Sequence, residues 1–203
     1  MQIRIIVIIL ISILILETLS SFFVYFDEGK VVNIKDLFLN MPEDFPSSFY
    51  IILLRAKNPH FYNFIYHLLM KDLYFYNRLS KYKLIEFKGF KVRDDIQFYG
   101  KSDMLCLMLS FWAYSNRLKF IDDFKIGIIG DVSEEGKVLP VLGINNKYSI
   151  ALSENLNVLI LPFQNEKDLN KKKGDLYCIF VNDIEEAKKN LLKFSVPEVV
   201  NIR

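Results

Sequence analysis

The chain has 203 residues, with 26 Lys and Arg against 24 Asp and Glu and a formal charge of +2. That length fits one domain or a domain with an appendage. The near balance of charge argues against a strongly basic nucleic-acid binder and against a disordered acidic tail. Mean hydropathy is +0.20, and the apolar excess is concentrated: residues 1–26 hold 19 apolar residues, and without them the mean falls to roughly −0.1.

In chain order, the first element is this N-terminal segment. Arg4 precedes an apolar run from Ile5 to Leu16 broken only by Ser12. Then come Glu17, Thr18, Leu19, Ser20, Ser21 and a second apolar patch, Phe22 to Phe26. Two readings compete. A single early Arg, an apolar core and small residues at Ser20 and Ser21 fit a secretory signal peptide. Alternatively, the 22 residues from Ile5 to Phe26 match the ~20 that span a bilayer, as a signal anchor. Either way the expected division is 1–26 and 27–203, with the second part membrane-anchored on the extracytoplasmic side or exported, because the early positive charge stays inside.

From Asp27 onward there is no internal repeat and no linker rich in Pro, Gly or Ser. A strand is expected at Phe49 to Arg55, then Asn58 as a cap, Pro59 at the first helical position and a long helix to about Leu79. A strand region follows from Leu84 to about Phe98, and then an apolar helix from Met104 to about Tyr114. Phe124 to Gly130 reads as extended, Gly136 as a turn, Lys137 to Leu142 as extended, and Asn145 to Asn155 as helical. The chain closes with strand Asn157 to Leu161, a charged helix near Glu166 to Lys172, strand Leu176 to Val181 and helix Ile184 to Phe194. Strands alternating with helices predict a mixed α/β or α+β domain with some parallel pairing.

Several motifs do not carry chemistry. Gly100-Lys101-Ser102 resembles the end of a phosphate-binding loop, but position 95, where that loop needs a Gly, is Asp. His60 and His67 lie seven apart without Cys partners or an HExxH pattern, so no metal or cofactor is implied. Cys106 and Cys178 both sit in apolar runs, as buried thiols do. The adjacent carboxylates of Asp94-Asp95 and Asp122-Asp123 point to opposite faces of an extended chain.

The run Gly130-Asp131-Val132-Ser133-Glu134-Glu135-Gly136-Lys137-Val138-Leu139-Pro140-Val141-Leu142-Gly143-Ile144-Asn145-Asn146-Lys147 resembles the proteolytic domain of Lon-type proteases. The family's corresponding run is Gly-Glu-Ile-Ser, Gly-Arg-Val-Leu-Pro-Ile-Gly-Gly, then Leu-Lys-Glu-Lys. Val158-Leu159-Ile160-Leu161-Pro162 and Asn165-Glu166-Lys167-Asp168-Leu169 continue the likeness, and Gly100-Lys101-Ser102 falls where the family has Gly-Pro-Ser. The resemblance extends over about half the chain, Gly100 to Leu192. It implies a single Lon proteolytic-domain-like fold preceded by the N-terminal hydrophobic helix, with Ser102 at the nucleophile position of a Ser-Lys dyad.

Such a dyad works when a lysine neutralised by desolvation takes the serine proton and returns it to the leaving amine. Registering on Leu139-Pro140 and Gly143 puts Asn145 at the dyad-lysine position, and Asn cannot accept a proton near neutral pH. Lys147 is the alternative base. On a helix it lies roughly 200° from Asn145, which predicts that it faces away from Ser102. Lys101, adjacent to Ser102, is expected to project to the other side of an extended entry strand. Ile129 stands at a family threonine, and Asp103-Met104 at a small Ala-Gly pair. Ser102 would then act as the cap of the helix beside it. The expected function is a membrane-tethered or exported Lon-like pseudoprotease without an ATPase motor, acting as a binding or assembly module. The alternative is an ATP-independent serine endopeptidase with Ser102 as nucleophile. Either has a polypeptide or protein partner, membrane association through the N-terminal segment and no nucleic acid; the family's rings point to a homo-oligomer.

Overall fold

A computed structural model describes residues 2–70, 73–75, 84–93, 101–169 and 176–196. Two compact units emerge. One comprises Met1–Glu28 with Leu54–Ser80, the other Gly29–Leu53 with Lys81–Arg203. Residues 54–80 group with the N-terminal segment.

In the first unit, helix α1 spans Gln2–Ser20. It does not run on through the second apolar patch. Ser21 N bonds Glu17 O and Phe22 N bonds Leu19 O, closing the helix, and Phe23 opens strand β1, Phe23–Asn33. The reason is local: Phe23-Val24-Tyr25-Phe26 is a β-branched and aromatic sequence suited to a pleated surface. The expected 22-residue helical span from Ile5 to Phe26 is therefore corrected to a helix ending at Ser20. Among the described residues no helix is long and apolar enough to cross a membrane.

Beyond β1 comes the single helical turn α2, Ile34–Leu37, and strand β2, Phe49–Lys57. Helix α3, Phe61–Leu69, is capped by His60 and ends at Met70. Asn58 is not its cap; its side chain donates to the carbonyls of Ser21 and Phe23, fastening the exit of α1. The long helix expected to reach Leu79 is cut short, since Tyr74–Phe75 form strand β3, paired antiparallel with Phe23 and Val24. His67 stacks on Tyr25 with ring centroids 3.9 Å apart.

In the second unit, strands β4, Glu86–Phe87, and β5, Phe90–Lys91, form a hairpin. The Lys88-Gly89 turn between them has positive φ at both residues, the geometry of a two-residue hairpin loop. Asp94, Asp95 and Gly100 lie outside the described residues, as does the end of the strand expected to reach Phe98. Helix α4 follows at Met104–Ser115, then β6 at Lys119–Phe120 and β7 at Ile126–Ile128. Short strands β8, Asp131–Val132, and β9, Val138–Leu139, pair antiparallel around the Gly136 turn. Helix α5 is Ile144–Ser153 and strand β10 Val158–Pro162. The charged helix expected near Glu166 starts instead as a 3-10 turn at Phe163–Asn165, and residues 170–175 are outside the described set. Strand β11, Tyr177–Val181, helix α6, Ile184–Leu192, and β12, Ser195–Val196, complete the unit.

The sheet of this unit runs β11-β10-β7-β2-β1. β10 pairs parallel with both β11 and β7, and β7 parallel with β2. Alternation along the strands divides two cores. Phe49, Ile51, Ile126, Ile128, Val158, Ile160 and Val181 face the layer that holds α4 and α6. Ile52, Ile129, Leu159 and Leu161 face α5 through Ile144, Tyr148 and Ala151. Strands buried on both faces read as near-continuous apolar runs, as Val158 to Pro162 does. The result is the expected mixed α/β arrangement, with helices covering both faces of a largely parallel sheet.

Candidate active site

Three segments converge at the edge where β7 ends: the entry to α4, the Ile129-Gly130 step after β7, and the first turn of α5. Gly130 ties the first two together. Its N–H donates to Ser102 O at 2.6 Å, and its carbonyl accepts from Leu105 N at 3.0 Å. Its φ is 154°, and a Cβ there would sit 3.0 Å from Val138 Cγ1 and 3.2 Å from Leu105 Cδ2. Only a residue without a side chain lets the strand end approach the helix start this closely.

Two contacts set the entry to α5. Asn165, buried after β10, accepts from Val141 N at 2.9 Å and donates to Val141 O at 3.1 Å, so one side-chain amide binds both backbone groups of that residue. It also donates to the Asp168 carboxylate at 3.1 Å. Gly143 then caps the helix in the left-handed conformation, φ 68°. The buried residues of α5 are Ile144, Lys147, Tyr148 and Ala151, the i, i+3, i+4, i+7 stripe of an amphipathic helix. Lys147 belongs to that inward stripe.

Lys147 Nζ therefore reaches Ser102, donating to its Oγ at 2.9 Å. The expectation that Lys147 faces away is corrected. The 200° separation from Asn145 holds, but the face was assigned to the wrong residue: Asn145 turns to the 165–168 turn, where its Nδ2 donates to Asp168 O at 2.9 Å. Ser102 is not the helix cap either. The cap position is Asp103, and its side chain makes no capping bond. Instead Asp103 is buried, with Oδ1 3.4 Å from Lys147 Nζ. Burial raises the Asp103 carboxyl above its ordinary range, and the Lys147 charge, the bond from Lys147 and the bond from Ser102 pull it partly back.

The next turn of α4 brings Cys106 beneath the pair. Its thiol donates to Tyr50 O at 3.6 Å, and burial, reinforced by Asp103, raises its titration well above the usual range. Cys106 and Cys178 form no disulfide. Ile129, at the family's threonine position, is fully buried and bonds Ile160 O through its amide. Met104 opens α4 and is partly buried.

A serine hydroxyl within 2.9 Å of a buried amine is the arrangement that lets the amine accept a proton as the hydroxyl attacks an acyl carbon. Residues 113–194 match the Lon protease (S16) C-terminal proteolytic domain. This region is a Lon-type proteolytic domain. Among its relatives, the Lon protease of Methanosarcina barkeri is 33% identical over 82 residues, 38% of this chain and 10% of that protein. Lon protease 1 of Bdellovibrio bacteriovorus is 35% identical over 80 residues, 37% of this chain and 10% of that protein. The chain thus spans about a tenth of the length of these curated relatives. Within the Lon-type stretch lie Asn145, Lys147 and Asn165; Ser102 and Asp103 lie upstream of it, and the fold brings them to Lys147. In the family run Leu-Lys-Glu-Lys, the final lysine corresponds to Lys147, and it is this residue that meets the serine.

Proposed function

We propose that this chain is a serine hydrolase of the Lon type that cleaves peptide bonds, with Ser102 as nucleophile and Lys147 as its general base and acid. The observation that carries the reading is the 2.9 Å contact between Lys147 Nζ and Ser102 Oγ. In the first half-reaction the Ser102 proton passes to Nζ as Oγ bonds to the acyl carbon, and the same proton then goes to the leaving nitrogen as the C–N bond breaks. Water hydrolyses the acyl-serine by the same transfers in reverse. The pseudoprotease reading rested on Asn145 as the dyad residue, and that premise loses its ground once Lys147 occupies the inward face. An unstructured polypeptide is the substrate class that the family likeness favours.

The test is labelling of the protein with a fluorophosphonate probe and cleavage of an unfolded protein substrate, each compared with Ser102→Ala. Labelling and cleavage that vanish in the variant support the reading; neither activity between pH 6 and 10 defeats it.

We also propose that α1 directs the chain to a membrane, with the second unit on the extracytoplasmic side. What supports this is the outward exposure of Ile5, Ile6, Ile8, Leu10, Leu14 and Ile15 along the helix, since an apolar surface of that extent favours an apolar surround. Recovery of the full-length chain in the soluble fraction, with its N-terminus intact by mass spectrometry, would sink that reading.

A further inference from the structure

Asp103 stands out as a buried carboxylate that the dyad chemistry does not require. It is 3% exposed, as is Lys147, and its Oδ1 lies 3.4 Å from Nζ. In the resemblance noted above, this position corresponds to a small residue of the family, so the carboxylate is particular to this chain's site. Burying a carboxylate is costly unless it is paired, and here its partner is the amine that must act as base. Lys147 Nζ accordingly contacts two acceptors, Ser102 Oγ at 2.9 Å and Asp103 Oδ1 at 3.4 Å.

These contacts have opposite consequences for chemistry. A general base must present a lone pair, which means the amine form of Lys147. A carboxylate at 3.4 Å in a water-poor site stabilises the ammonium form. Of the other titratable groups, Lys101 immediately precedes Ser102 at the entry to α4. Cys106 lies on α4 with Asp103, and its thiol stays protonated because burial opposes the thiolate. From α5 comes Lys147 itself, and β7 with the Ile129-Gly130 step contributes no titratable side chain. Asp103 is therefore the one carboxylate that acts on the dyad among these elements.

Resting on the hydrolase reading above, we propose that Asp103 is a positioning residue that keeps the Ser102–Lys147 dyad loaded with a proton and so sets the pH above which the protein becomes active. In the loaded form the site holds a carboxylate, an ammonium and a neutral hydroxyl. Activation releases one proton from Lys147 to water. The amine then takes the Ser102 proton as Oγ attacks, and that proton leaves on the departing nitrogen; the carboxylate neither forms nor breaks a covalent bond. Asp103 restrains the dyad at neutral pH and orients the amine between the two oxygens.

The experiment compares fluorophosphonate labelling rate against pH in the full-length chain, Asp103→Asn, and Asp103→Ser as a second neutral variant should the first fail to fold by circular dichroism. Carboxyl carbon NMR of Asp103 is recorded in the parent chain and in Lys147→Met. The expected result is an acid limb moved to lower pH by at least one unit in the neutral variants, seen as about tenfold faster labelling at pH 6. Asp103 should also titrate at higher pH once Lys147 is Met. Identical acid limbs, or an Asp103 titration that ignores Lys147, overturn the proposal while leaving the hydrolase reading standing. Absence of any Ser102-dependent labelling, with the Asp103 titration still coupled to Lys147, instead defeats the hydrolase reading and, with it, the claim that Asp103 regulates activity.

Discussion

Asn145 and Lys147 sit two residues apart on α5 and serve opposite sides of it. Asn145 Nδ2 donates to the Asp168 carbonyl and Lys147 Nζ to the Ser102 hydroxyl, each at 2.9 Å. A helix advances about 100° per residue, so a face assigned to one of them is denied to the other.

The sharpest prediction contrasts these two positions. Lys147→Met should lower kcat/KM for peptide cleavage by about 10²–10⁴, the usual contribution of a positioned general base. Asn145→Lys should give no gain. It removes the bond to Asp168 O and costs about 1 kcal/mol. Steady-state cleavage and urea denaturation of both variants check this; a rise in activity for Asn145→Lys would reverse the assignment.

Gly130→Ala tests the joint between β7 and α4. The added Cβ meets Val138 and Leu105, and the backbone is at a φ that L side chains rarely adopt. The expected cost is about 1–3 kcal/mol, together with a loss of Ser102 labelling, because the 2.6 Å bond to the Ser102 carbonyl fixes where Ser102 sits. Labelling at the parent rate would show that the joint does not position the serine.

Asn165 acts at a distance from the dyad, through Val141 and the approach to α5. Asn165→Ala leaves both backbone groups of Val141 without this partner, at about 1–3 kcal/mol. It should also reduce kcat more than KM, since Lys147 loses its fixed approach. An unchanged kcat per folded molecule, with the folded fraction measured by circular dichroism, would contradict this positioning role.

Helix α6 supplies a control away from the site. Asp183 caps it by accepting from Glu186 N at 2.8 Å, and Glu186 reciprocates to Asn182 N at 2.8 Å. Asp183→Ala should destabilise by about 1 kcal/mol with labelling of the folded protein unchanged.

Stability should also respond to pH through Asp103. Its folded carboxyl titrates above the unfolded value because burial outweighs the help from Lys147 and Ser102. A raised value means that the folded state holds the proton more tightly. This contribution is present below the unfolded carboxyl range, near pH 3.9, and is lost as pH rises through the folded value. The urea midpoint of the parent chain should therefore carry a downward contribution over that window that Asp103→Asn lacks; parallel curves for the two proteins would contradict it.

Much of the fold was legible in the residues. The runs at Phe49 to Arg55, Asn157 to Leu161 and Leu176 to Val181 are apolar, and each forms a strand of the central sheet, with Val158–Pro162 buried throughout. The helices at Met104 and Ile184 began where apolar spacing put them. Less legible were elements whose limits depend on partners elsewhere. Helix α3 stops early and the chain turns to β3, which pairs with β1, and the apolar patch after Ser21 becomes a strand because it has such a partner.

The sequence by itself determined the Lon-like order of elements, because short apolar runs, turn glycines and the Gly-Lys-Val-Leu-Pro run are local properties of the chain. It also held the stripe Ile144, Lys147, Tyr148, Ala151, a signal that could have placed Lys147 inward. Which lysine meets the serine was decided only by tertiary structure. The face of α5 that turns inward is fixed by Asn165 holding Val141 and by packing against β10, contacts between residues far apart in the chain. The same packing buries Asp103 beside Lys147, with Oδ1 3.4 Å from Nζ.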